Sequence, residues 1–184
     1  MKHLRFSTAR QVIDAFPNLR DEFSGSNLDL EPFAFIDSLM AQGSVRKAMA
    51  FCAFLLPRRE AIQWLSLALR QQSQQPSGAD VNLLRLVEDW LKKPVEATRR
   101  AALDGGMGDP RKGAFAWAAL AAGWSGGNLS PNAEQPVPPP PHLTGHAVNV
   151  GLTLLVAGLP LAKQPDKMEE LVGDAVALLR RGGS

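Results

Sequence analysis

The chain has a single cysteine, three histidines and almost no net charge, and each shortage removes a class of protein. Cys52 is alone, so no internal disulfide can form, and nothing requires an oxidising compartment. It sits in the apolar run MAFCAFLL, which reads as a small hydrophobic residue of a core. His142 and His146 are four apart, the spacing that lets two imidazoles share a helix face, but His3 is far off in sequence. Two donors without an acidic neighbour fall short of a metal site. Twenty Lys and Arg face eighteen Asp and Glu, leaving a net charge of +2. A nucleic-acid binder would carry a basic stripe, so no nucleic acid is expected.

Long hydrophobic runs are also missing. The longest, AVNVGLTLLVAGLPLA at 147–162, includes Asn149, Thr153 and Pro160. It is shorter than the roughly 20 residues of a spanning helix, so it is expected to be a buried core helix. The opening MKHLRFSTARQV has no apolar h-region. The expectation is therefore a cytoplasmic chain with no signal peptide and no membrane partner.

Catalytic signatures are equally scarce. Ser66 and Ser125 sit in no nucleophile-elbow context. A nucleophilic Cys52 would need exposure and an activating base, and its flanks supply neither. Glu60, Glu88 and Asp89 can meet in space, but their spacing defines no acid–base pair. GGMGDPRKG at 105–113 resembles a phosphate loop only faintly: Lys112 precedes Gly113 instead of Ser or Thr, and no strand leads in. It is expected to be a turn between helices. The tail LLRRGGS reads as a fraying helix end, with Arg180 and Arg181 suiting the helix dipole. No cofactor motif is present, and the expectation is a protein without catalytic residues.

What is there is helical periodicity. Strand-like alternation is nearly absent, and the chain reads as all-α, with eight or nine helices in stacked hairpins. Ser7 is placed to cap a first helix that stops at Pro17. Glu31 and Pro32 open a second, with Phe33, Ile36 and Met40 near one face. Ser44 caps a third, carrying Val45, Ala48, Cys52 and Leu55. RREAIQWLSLALRQQ follows Pro57, with Ile62, Leu65 and Leu69 on one stripe. After the polar loop QQSQQPSG, Asp80 is placed to cap the next helix, and Pro94 to start one ending at Gly105 and Gly106. An Ala- and Gly-rich helix at 111–124 allows close backbone approach. His142 or Thr144 opens the greasy helix, and Pro165 with Asp166 opens the last, whose apolar face is Met168, Leu171, Val172, Ala175 and Leu179.

A chain of 184 residues is one domain's worth and buries roughly 70% of its unfolded surface. The organisation expected is a single domain over 1–184, with 1–30 loosely attached and 125–141 forming a proline-rich strap. Polyproline II has no internal hydrogen bonds and is already stiff, so laying Pro138, Pro139, Pro140 and Pro141 across helices costs little entropy. Val137 would cover the Ala-rich helix, and Trp117 or Trp124 would stack on a proline ring. A docking motif for an aromatic groove and an inter-domain linker are the rival readings.

PRREAIQW at 57–64 is the sharpest local feature. Arg58 and Arg59 lie at a helix N-terminus, where positive charge opposes the dipole, while Glu60 suits it and Trp64 follows one turn on. One reading pairs the arginines with Glu88, Asp89 or Glu96. The other makes Arg58, Arg59, Glu60 and Trp64 an anchor for a carboxylate-bearing partner, Arg and Trp being favoured hot-spot residues.

Three stretches act together: LPRREAIQWLSLALR (56–70), EDWLKKPVEATRRAAL (88–103), and AWAALAAGWSGGNLSP with VPPPPHLTGHAV (116–148). As a set they resemble an uncharacterised bacterial family of all-helical proteins often encoded among type VI secretion genes, near spike, PAAR-type tip or FHA-domain components. The resemblance covers about residues 30–160 and implies no enzymatic activity. That gene neighbourhood, taken with the missing catalytic chemistry, makes the expectation an adaptor or chaperone-like accessory protein that binds a secretion effector or a spike or tip protein. The proline strap joins Arg58, Arg59 and Trp64 as the expected contact surface. Two other classes stay open. One is a homo-oligomeric scaffold using an apolar patch near the Ala-rich helix or the last helix. The other is an enzyme or immunity-type inhibitor, although the small net charge shows no bias toward a toxin.

Overall fold

Nine α-helices and two short 3-10 turns make up the regular structure of the described residues, and no strand occurs among them. The computed structural model describes residues 4–72, 75–130 and 134–182. His3, Pro131, Gly183 and the middle of the 71–78 loop lie outside those residues.

The first helix, α1 (Ala9–Ala15), is capped by Thr8, whose hydroxyl accepts the Gln11 N–H. Ser7 does not cap it. Ser7 lies one residue too early, and its own N–H donates to the Gln11 side chain at 2.8 Å. Pro17 opens a 3-10 turn at Pro17–Leu19. Pro32 sits at the first position of α2 (Pro32–Ala41), where a missing N–H costs nothing. The buried face of α2 is Phe35, Ile36 and Leu39, with Phe33 and Met40 only partly covered. The core therefore lies about one residue's rotation away from the stripe read from sequence.

α3 (Val45–Leu55) is buried from Ala48 onward on every side, which is why no single stripe describes it. α4 (Arg58–Arg70) keeps a polar face and buries Ile62, Trp64, Leu65 and Leu69. α5 (Gly78–Lys92) starts earlier than Asp80. Ser77 is the cap, and Asp80 closes the reciprocal capping box from the third position. α6 (Glu96–Gly108) runs past Gly105 and Gly106, because Lys112 donates to the carbonyls of Gly106, Met107 and Asp109 and so extends its end. α7 (Ala114–Gly123), α8 (Leu143–Ala157) and α9 (Gln164–Gly182) complete the order.

α7 is the axis of the assembly and touches α4, α5, α6 and α8. Phe115 and nearly all of its alanines are buried, and Trp117 with Trp124 at its end is only partly covered. Small residues let its neighbours come close. A Cβ added at Gly123 would stand 2.7 Å from the Leu103 backbone, so α6 and α7 meet there at a spacing only glycine permits. α3 and α4 pack on α8 and α9, linking the two halves of the chain.

The N-terminal segment is not loosely attached. Phe6, Ala9, Val12, Ile13, Phe16, Leu19 and Phe23 are buried in the same hydrophobic cluster as α3 and α4. Phe23, Phe35 and Phe51 contact one another edge-on or tilted, with centroids 4.8–5.9 Å apart.

Two hydrogen bonds tie the described residues on either side of 131–133 together. Leu129 N–H donates to the Val137 carbonyl at 2.8 Å, and Val137 N–H donates to Asn128 Oδ1 at 2.7 Å. Pro139 is buried while Pro138, Pro140 and Pro141 stay exposed. Val137 does not cover α7; it is 52% exposed, because its backbone is spent on the 128–129 turn and its side chain faces outward. The ring contacts of Trp117 are with Trp124 and His146.

The turn that anchors the strap rests on Arg99. This side chain is 4% exposed, and it donates to both Glu96 oxygens and to the carbonyls of Gly123 and Asn128. Gly127 packs against it with φ +70°, and an added Cβ would lie 2.5 Å from Arg99 Nε. Gly127→Ala is expected to cost about 2 kcal/mol, from left-handed backbone strain plus the clash. That is roughly 4–8 °C in Tm for a chain of this size. Gly126, with nothing within 4 Å of an added Cβ, is the control, and Gly126→Ala should leave thermal unfolding followed by circular dichroism nearly unchanged. Equal melting of the two variants would show that the turn bears no strain.

Candidate functional site

Arg58 and Arg59 are the first two residues of α4, and consecutive helical side chains point about 100° apart. They accordingly part company. Arg58 donates to the Ser125 carbonyl at 2.8 Å, just beyond the end of α7. Arg59 donates to the Leu91 carbonyl at 2.7 Å, in the last turn of α5. Both cations stand at the unfavourable end of their own helix and at the favourable end of another. Neither joins the expected ion pairs. Glu88 is taken by Arg70, Asp89 by Arg85, and Glu96 by Arg99 and Arg100.

Trp64 is 1% exposed and so is no surface anchor. On α4 it lies five and six residues from the arginines, and its large ring goes to the core. Its indole N–H has no acceptor among the described residues, an arrangement that costs about 1–3 kcal/mol when a donor is fully desolvated.

The exposed face of α4 is the stripe Arg59, Gln63, Leu67 and Gln71, spaced four apart, with Arg70 beside it. Two depressions flank this stripe. The wider, about 560 Å³, lies toward α5 and is lined by Arg59, Gln63, Ser66, Leu67, Arg70, Glu88, Leu91 and Lys92. The narrower, about 200 Å³, lies toward α9 and is lined by Trp64, Leu67, Gln71, Asp174, Ala177, Leu178 and Arg181. Leu67 borders both and is 43% exposed, an apolar ridge between two polar hollows.

The structure brings Arg59 and Trp64 to this face, from the rim and from below. It takes Arg58 elsewhere. Arg58 and Pro141 share a hollow of about 30 Å³ with Arg5, Phe54 and Thr144, on the side where the strap enters α8. Pro138 and Pro140 are exposed near that hollow in sequence, and Glu60 is partly covered beside Arg59. The expected single surface is thus two surfaces. Leu67, Lys92 and the α9 side chains are the additions that sequence reading missed. Their only signal was an apolar residue on the polar face of an amphipathic helix.

Elsewhere, Arg111 ties the start of α5 to the α6–α7 turn. It pairs with Asp80 at 2.8 Å and Asp109 at 2.9 Å, and borders a hollow of about 330 Å³ with Leu154 and Leu159. Hydrogen bonds from the Arg111 side chain and backbone hold the Asp109 carboxyl below its usual range. For Asp80, burial pushes upward, but hydrogen bonds from Ser77 and Arg111 outweigh it and the net shift is down. His142 and His146 are one turn apart, and among the described residues no group of three or more His, Cys, Asp or Glu comes together. No helix among them is long and apolar enough to cross a membrane. Burial pushes the Cys52 thiol up to about 12.

Fold and surface define a many-helix domain with a grooved amphipathic helix. The chain matches the Family of unknown function (DUF6931) over residues 35–179, and it belongs to that family. No curated protein and no solved structure matches it.

Two outcomes follow from the charge states. Cys52 should resist a thiol-specific disulfide reagent in the native protein and react stoichiometrically in denaturant; rapid native labelling would contradict its burial. Arg111→Gln should lower stability at pH 7. A carboxylate held below its free value stabilises fully above its unfolded pKa and loses that contribution as pH falls through the folded one. The gap between wild type and variant should therefore close below about pH 4, read from urea midpoints at several pH values. A gap independent of pH would place the stabilisation outside Asp80 and Asp109.

Proposed function

We propose that this protein is an adaptor or chaperone-like accessory protein that carries out no chemistry of its own and holds a partner protein on the face of α4. The observation that carries the reading is Leu67, an exposed apolar side chain shared by two hollows on the polar side of a helix otherwise packed into the core. Aliphatic exposure ringed by Arg and Gln is the anatomy of a protein contact, with an apolar centre and a polar rim. The resemblance to proteins encoded among type VI secretion genes supports a secretion effector or a spike or tip component as the partner. It also supports action in the cytoplasm before secretion.

The test is co-purification from cells that naturally make the protein, with wild type and Leu67→Asp compared by quantitative mass spectrometry. Leu67 is 43% exposed and lies in the last turn of α4, so the substitution should cost about 1 kcal/mol, which the fold is expected to tolerate. A stoichiometric partner should fall at least tenfold with Leu67→Asp and persist with Leu161→Asp, an exposed apolar control at 83% exposure on the far side of α8 in sequence. Equal recovery with both variants would remove α4 from the interface. Recovery of the chain alone, as a defined oligomer by light scattering, would favour the scaffold class instead.

A further inference from the structure

Resting on the adaptor reading, we propose that the α4 groove receives an acidic amphipathic helix of the partner protein. The shape argues for an extended occupant. The stripe from Arg59 to Gln71 covers twelve helical steps, roughly 18 Å along the axis, and both hollows open along it on either side of Leu67. A ligand confined to one hollow would leave that ridge in water. A helix lying along the stripe covers it and places side chains on both sides, as helix-in-groove recognition requires.

Charge selects the chemistry. In the wider hollow Arg59, Arg70 and Lys92 face Glu88 alone. The carbonyl end of α5 adds about half a negative charge, which leaves the hollow positive. These cations are not spent. Arg59 gives one N–H to Leu91 and keeps the rest of its five donors, and Lys92 has no hydrogen bond or ion pair among the described residues. Carboxylates on an incoming helix would meet Arg59 and Lys92 directly. At Arg70 they would compete with Glu88, its present partner. In the narrower hollow Arg181 and Asp174 balance, so that side contributes apolar contact through Ala177 and Leu178. Trp64 forms part of its floor, with an indole N–H that has no acceptor among the described residues.

The experiment is selection of a randomised sixteen-residue displayed peptide library on the whole protein at physiological salt, followed by anisotropy titration of the enriched peptides. Enriched sequences should carry excess Asp and Glu, with apolar residues three and four apart. Arg59→Glu with Lys92→Glu should weaken binding at least tenfold with circular dichroism unchanged. Glu88→Gln, which releases Arg70 and removes the one acid, should tighten binding several-fold, a gain that a merely structural role for Glu88 would not produce. Affinity should also fall with added salt. Enrichment of neutral or basic peptides, indifference to both substitutions, or no enrichment at all would overturn the acidic-helix proposal. The adaptor reading fails separately, if wild-type protein co-purifies no partner.

Discussion

A guanidinium removed from water must find its hydrogen-bond acceptors inside the protein, and Arg99 is such a group at 4% exposure. Losing its partners would leave a buried charge uncompensated, which costs about 3–5 kcal/mol in typical proteins. Arg99 therefore dictates where its acceptors stand. It fixes Glu96 on its own helix, the last carbonyl of α7 at Gly123, and the turn carbonyl at Asn128. Arg100 reaches the same Asn128 carbonyl at 2.9 Å. Asn128 in turn accepts the N–H groups of Ser130 and Val137, so the beginning and end of the strap are set from one residue.

The consequences reach the candidate site through packing. The strap delivers the chain to α8, where Thr144 donates to the Trp124 carbonyl at 3.1 Å. α8 lies against α3 and α4, and α7 touches α4 as well. The interior side of α4 is thereby clamped, with Trp64, Leu65 and Leu69 buried. Its remaining face is left outward as a groove floor between α5 and α9. The two arginines at its start reinforce this, each donating to a carbonyl beyond or within the last turn of another helix. A cost of helix polarity within α4 becomes a favourable contact between helices.

That arrangement explains the division of labour among residue types. The centre of the fold is built from alanine and glycine in α7, so that four helices gather around it at short range. Bulk comes from the phenylalanines of the N-terminal segment, α2 and α3. Among the described residues the most deeply buried charge is Arg99, where the polar ends of α7 and the strap need a donor.

The sequence alone determined the helical class, the order of the elements, the burial of Cys52 and the presence of a turn between α6 and α7, because each depends on local periodicity, caps and breakers; that turn occupies 109–113, since residues 105–108 continue the helix. Boundaries were legible to within a few residues. Asp80 was seen at the start of α5, but not that Ser77 precedes it in a reciprocal cap, and the end of α6 depends on a lysine three to six residues beyond the carbonyls it binds. Other features were decided only by the tertiary structure. Phe6 to Phe23 are core because α3 offers them a surface, which no local pattern announces. Arg58 and Arg59 read as one pair, yet helix geometry sends them to different elements. Trp64 read as an anchor, yet its size is used in the core, while Leu67 beside it is left exposed. Which side of an amphipathic helix stays open depends on where its neighbours stop, and that is a property of packing between segments far apart in the chain.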